Sequence, residues 1–138
     1  MTAIDIAPPT STAASAALWS GRILSGILVV LLLLDAAFKF TTIPEITEGT
    51  AALGWSATKL VPLGLLLGAC TLLYAFPRTA VLGAILLTGY LGGAVATHVR
   101  IDNPLFTHTL FGVYVGIAIW GALFLRDQRL RALLPWRR

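Results

Sequence analysis

Charge is scarce in this sequence. Ten of its 138 residues are lysine or arginine and six are aspartate or glutamate, together 12%. A soluble domain of this length buries about two-thirds of the surface its unfolded chain exposes, and the remainder needs polar cover. With 57% hydrophobic residues and a mean hydropathy of +0.86, that cover is missing, so part of the solvent is lipid. Cysteine is nearly absent too. The single Cys70 makes no intramolecular disulfide, says nothing about redox compartment, and reads as a small apolar side chain within a span. Hydrolase machinery is missing: there is no G-x-S-x-G, no H-E-x-x-H and no glycine-rich phosphate loop before a helix. The two histidines have no cysteine pair and no clear third ligand beside them. Since a catalytic zinc site normally uses three protein ligands, no metal site is expected.

What the sequence does have is long apolar runs. Four are legible: Leu18 to Phe40, Lys59 to Phe76, Thr79 to Val99 and Pro104 to Leu125. A helix needs about 20 residues to cross a hydrocarbon core about 30 Å thick. The runs are rich in leucine, alanine and glycine, do not alternate, and are too long for barrel strands. They predict an all-α transmembrane four-helix bundle made of two antiparallel helical hairpins. The N-terminal flank has no positive charge before Arg22 and no small-x-small cleavage site follows the first run. The first run is therefore expected to be a retained span behind a disordered tail, residues 1–17. Residues 126–138 are expected to form a basic tail.

The position of the charge suggests an orientation. Arg22, Arg78 and the arginines 126, 129, 131, 137 and 138 share one side of a four-span topology, while Lys39, Lys59 and Arg100 lie on the other. The positive-inside rule puts both termini in the cytoplasm. Trp19 and Trp136 then mark the inner interface and Trp55 the outer one. The net charge of +4 is read as contact with anionic lipid headgroups and not as nucleic-acid binding.

The other polar residues gather at the outer end. Asp35 and Lys39 are four residues apart on one helical face, which makes a mutual ion pair the simplest arrangement, whether structural or functional. Residues 41–58, with Ile43, Ile46, Ala51 and Leu53, suggest a short interfacial helix, either a lid over the bundle's mouth or a plain connector. Asn103 as N-cap with Pro104 at the first helical position is expected to start the fourth helix. That places His98 and His108 at similar depth across a tight turn, as polar contacts, proton carriers or ligands. Tyr90 and Thr97 share a face that is either a helix contact or part of a pocket for an amphipathic ligand such as a quinone. Glycine pairs at spacing four (Gly64/Gly68, Gly89/Gly93, Gly112/Gly116) predict close helix approach. If the role is a pocket, Tyr90, Thr97 and His98 should face the bundle interior; if it is assembly with a partner, Gly112 and Gly116 should face outward.

The stretches "LGAILLTGYLGGAVATHVR" and "NPLFTHTLFGVYVGIAIWGALFLRD", with "PRT" before the third helix and "FKF" at the end of the first, resemble the DoxX-like family of small bacterial four-helix membrane proteins. The resemblance covers roughly residues 20–134, and GYLGGA-x-ATH-x-R is its specific part. It implies a multi-pass protein of the bacterial cytoplasmic (inner) membrane. The wider family is named for a subunit linked to quinone-dependent sulfur oxidation, and relatives are associated with membrane redox and oxidative-stress complexes. Carried over by position, the pattern marks Lys39, Gly92, Gly93, His98 and Arg100. Many relatives have a glutamate mid-way along the second helix, where this chain has Leu67, so that carboxylate's role does not carry over.

Three functions remain in view. The first is a quinone-associated or redox-complex accessory subunit, with Asp35 and His98 handling protons. Lys39, Lys59, Tyr90, Thr97, Arg100 and His108 would then form a ligand site. The second is a membrane enzyme acting on a small lipophilic substrate with the same residues. The third is a structural or assembly subunit that binds a partner helix or a second copy of itself.

Overall fold

A computed structural model of the chain describes residues 12–133. All regular structure among them is helical. The helices are α1 (Thr12–Phe38), α2 (Pro44–Ala52), α3 (Leu60–Ala75), α4 (Ala80–Arg100), α5 (Phe111–Arg126) and α6 (Gln128–Leu133). A 3-10 turn, Ala57–Lys59, leads into α3, and a π-helical turn, Leu105–Thr109, precedes α5. Four segments are long and apolar enough to cross a membrane: Thr12–Phe38, Ala57–Ala75, Ala80–Arg100 and Leu105–Arg126.

The first boundary differs from expectation. Thr12 to Ala17, expected in the disordered tail, form the opening turns of α1. "TAASAA" is rich in alanine, the strongest helix former, and no proline follows Pro9 to interrupt it. Residues 1–11 and 134–138, including Trp136 and the last two arginines, lie outside the described residues. The basic tail also holds structure. Asp127 caps α6 by accepting from the backbone N–H groups of Arg129 (2.9 Å) and Leu130 (3.4 Å).

The spans form a four-membered ring. α1 packs on α3 and α5, and α4 packs on the same two helices from the opposite side. The core is one strip from each helix: Leu28, Leu32 and Ala36; Leu67, Cys70 and Tyr74; Ala80, Ala84, Leu87 and Leu91; Ile119, Ala122 and Leu123. The outward faces are equally apolar, with Ile23, Ile27, Val30, Leu65, Leu82, Ile85 and Ile117 exposed. A helix that is hydrophobic all round is matched to a lipid surface.

Glycines allow the close approaches. A Cβ at Gly21 would meet the Ala122 carbonyl and the Arg126 nitrogen at 2.8 Å, and one at Gly83 would strike the Tyr74 backbone. Of the pairs read from the sequence, Gly64/Gly68 lies against Ala36, and Gly112/Gly116 against Leu91. Gly89 and Gly93 have nothing within 4 Å of a built Cβ. Their face is open and takes no part in packing within the chain.

The two connections at opposite ends are built differently. At "FPRT", Thr79 Oγ1 donates to the Leu73 carbonyl (2.7 Å), closing a tight hairpin between α3 and α4. At the end of α4, Asp102 N–H donates to Val99 O and Asn103 N–H to His98 O, both at 3.2 Å. Asp102 is left-handed with φ 53°, so the motif is a Schellman C-cap. Asn103 is not the N-cap foreseen. Its side chain reaches back to His98, Pro104 takes the extended cap position, and the next turn winds wide. Both Thr109 N–H and His108 N–H donate to Pro104 O.

Candidate functional site

The residues singled out in the sequence divide into separate small clusters at the loop end, the end that carries α2 and the α4–α5 turn. The first is the ion pair. Lys39 Nζ lies 2.7 Å from Asp35 Oδ1, with the aspartate side chain 56% exposed and the lysine 16%. The expected i,i+4 pair is present, but Asp35 does not point into the bundle. Lys39 instead lays its stem against Gly64, which anchors the pair on α3. Tyr90 is half-buried against the core.

The second cluster is the histidine pair. The rings of His98 and His108 stand 6.2 Å apart, tilted by 53°. Asn103 Nδ2 lies 2.7 Å from His98 Nδ1; an amide nitrogen only donates, so Nδ1 accepts and the ring proton sits on Nε2. His108 Nδ1 is 2.8 Å from Thr107 Oγ1. Buried Thr109 donates to the Asn103 carbonyl at 3.1 Å, so the loop is stitched behind both rings. This leaves both Nε2 atoms without a hydrogen-bond partner among the described residues. No group of three or more His, Cys, Asp or Glu side chains among those residues is placed to hold a metal.

Arg100 does something else. Its Nη2 donates to the Leu53 carbonyl at 2.7 Å and fills the space a side chain would take at Gly54, whose φ is +79°. It ties the end of α2 to α4. Thr97 returns its hydroxyl to the Gly93 carbonyl (2.9 Å) and Lys59 is exposed. Seven of the eight residues therefore lie toward one end of the bundle, Tyr90 sits midway along α4, and they do not converge on one enclosed pocket.

The sizeable cavity lies beside them. An open groove of about 900 Å³ runs between α4 and α5, lined by Leu91, Gly92, Val95, Gly112, Ile117 and Trp120, among others. Gly112 is buried against Val95 and Leu91, while Gly116 is half-buried beside Leu91, and both line this open groove. Thr88 and Trp120 bridge its lower part: Trp120 Nε1 donates to Thr88 Oγ1 at 2.9 Å, while that hydroxyl donates to the Ala84 carbonyl at 2.8 Å. Val95 and Gly112 are the groove's last lining residues toward the loop end; His98 follows Val95 by three residues and His108 precedes Gly112 by four, and neither histidine lines the groove itself.

The groove was not read from the sequence, although a signal was available. Thr88 and Trp120 lie equally far from Pro104 in the chain, and such positions meet at equal depth in a hairpin. Tyr74 was also missed. It is fully buried, its hydroxyl donates to the Ile119 carbonyl (3.0 Å), and it therefore accepts from Ser25 Oγ (3.2 Å). The Arg126 guanidinium lies 4.9 Å over the Tyr74 ring and donates to the Tyr74 carbonyl (2.9 Å). Leu67 is fully buried in the same core.

Four apolar spans in a closed ring define an integral, multi-pass membrane protein. The model of the DoxX-like family matches residues 23–122, and the chain belongs to that family. No curated protein and no solved structure matches the chain.

Proposed function

We propose that the protein binds an amphipathic quinone along the α4–α5 groove and serves as an accessory subunit of a membrane redox assembly. The carrying observation is a 900 Å³ apolar groove whose last lining residues, Val95 and Gly112, are three and four residues from the paired His98 and His108. A ligand of this kind needs an apolar bed for its tail and a few placed donors for its oxygens. The groove provides the bed, and His98 Nε2–H and His108 Nε2 provide the polar contacts. When bound, a quinone supplies two-electron, two-proton chemistry, with the electrons coming from a partner subunit. The chain's own part is to hold the headgroup and pass protons, since an imidazole can release and take up a proton on its two nitrogens. Asp35, an exposed carboxylate paired with Lys39, is a proton acceptor in this reading. Lys59 meets headgroups, Thr97 supports the α4 wall, and Arg100 positions α2. The loop end faces outward from the bacterial inner membrane.

The test is chemical. Protein purified in mild detergent is extracted with organic solvent and the extract assayed for quinone. A stoichiometric quinone is expected, with loss in His98→Ala and His108→Ala. A quinone-free extract from stable wild-type protein would sink the proposal. The open Gly89/Gly93 face supports a second reading, an assembly subunit that docks a partner helix there. In that case Gly93→Leu would release the partner while leaving any bound quinone in place.

A further inference from the structure

The end of the bundle that carries both described chain termini is strongly basic. Arg22, Arg78, Arg126, Arg129 and Arg131 gather there with Asp127 as their acidic neighbour. Part of this charge is used internally. Arg131 donates to the carbonyls of Phe124 and Leu125 and so caps α5. Arg22 and Arg126 are different. The close approach at Gly21 brings the inner turns of α1 and α5 together, and both arginines line one pocket of about 240 Å³. Its other walls are Ser25, Gly26, Val29 and Ala75. Neither arginine pairs with a carboxylate among the described residues. Each guanidinium instead lies over an aromatic ring, Arg22 over Trp19 at 5.6 Å and Arg126 over Tyr74 at 4.9 Å.

Two cations that share a pocket repel each other unless an anion joins them. Arg126 spends one N–H on the Tyr74 carbonyl, and a guanidinium has five. The Ser25 hydroxyl proton is committed to Tyr74, so the donors left for a ligand are guanidinium N–H groups, whose planar fork suits phosphate oxygens. The pocket is also graded. Arg22 stands at the membrane-surface end, and Gly26 and Val29 lie one and two turns deeper on α1. Gly26 has nothing within 4 Å of a built Cβ, so its side of the pocket is open. A phosphate at the arginines with apolar substance below it is the outline of a lipid.

We propose that the Arg22–Arg126 pocket is a binding site for the phosphate headgroup of an anionic phospholipid, separate from the α4–α5 groove. Basic pockets between spans at a charged membrane surface have this chemistry.

Native mass spectrometry of the full chain in detergent tests it, with phosphatidylglycerol, phosphatidylcholine and inorganic phosphate as probes. Phosphatidylglycerol is expected to bind best. Arg22→Gln and Gly26→Leu, one removing charge and the other filling the opening, should each weaken it about tenfold or more. Arg78→Gln, on the same end at the α3–α4 turn, should not. Equal binding by wild type, Arg22→Gln and Gly26→Leu would overturn the site. An Arg78→Gln loss as large as that of Arg22→Gln would also overturn it, because a diffuse basic surface would then explain the binding. Inorganic phosphate binding as tightly as phosphatidylglycerol would overturn the lipid as occupant.

Discussion

Tyr74 holds three helices through one hydroxyl and one carbonyl. The chain Ser25 Oγ–H to Tyr74 O–H to Ile119 O crosses from α1 through α3 to α5, and Arg126 closes it from α5. Removing the hydroxyl strands the buried Ser25 proton. Tyr74→Phe should therefore cost about 1–3 kcal/mol, read as a lower melting temperature in detergent. Asp102 is the opposite case. It occupies the left-handed C-cap position with φ 53°, where a side chain costs about 1–2 kcal/mol relative to glycine. Asp102→Gly should raise the melting temperature. Asp102→Val should lower it, because a β-branched residue fits that region worst.

Helix packing gives the next prediction. Gly83 leaves no room for a Cβ against the backbone of Tyr74, while Gly93 leaves open space. Gly83→Ala should destabilise the α3–α4 hairpin severely. Gly93→Ala should be neutral or stabilising by up to about 1 kcal/mol, because alanine favours a helix interior. Thermal unfolding of the two variants side by side checks the contrast. The spacing-four pattern could not distinguish these glycines, because it records which residues are small and not which face meets a neighbour. Gly21 and Gly83, which make the tightest helix-to-helix approaches, have no glycine partner at that spacing. The π-helical turn was hidden for a related reason. Asn103-Pro104 reads as a helix start from local preference, but a tertiary partner, His98, claims the asparagine side chain. By contrast, the Asp35–Lys39 pair and the short helix α2 were legible, because each depends on residues close together in the chain.

Across the whole molecule, lipid does the work that polar cover does in a soluble domain. Span length and apolarity are local properties, so the four helices could be read directly. The ring order and the groove depend on which faces meet, and hydropathy is nearly uniform around these helices. The expected orientation has its own check: a periplasm-dependent reporter fused after Arg138 should be inactive, and an active one would reverse the topology. The central claim is that the α4–α5 groove holds a quinone with its headgroup at the histidines. It is tested most directly by photo-crosslinking with a photoreactive quinone analogue bearing an isoprenoid tail. From Gly112 to Phe124 the groove extends about 18 Å along α5 at about 1.5 Å per residue, enough for such a tail to lie in. Mapped by mass spectrometry, the labels should fall on α4 between Leu91 and His98 and from His108 in the π-helical turn to Trp120 on α5, and excess unlabelled quinone should suppress them. Labels spread over the exposed faces of α1 and α3, and indifferent to competition, would contradict the account.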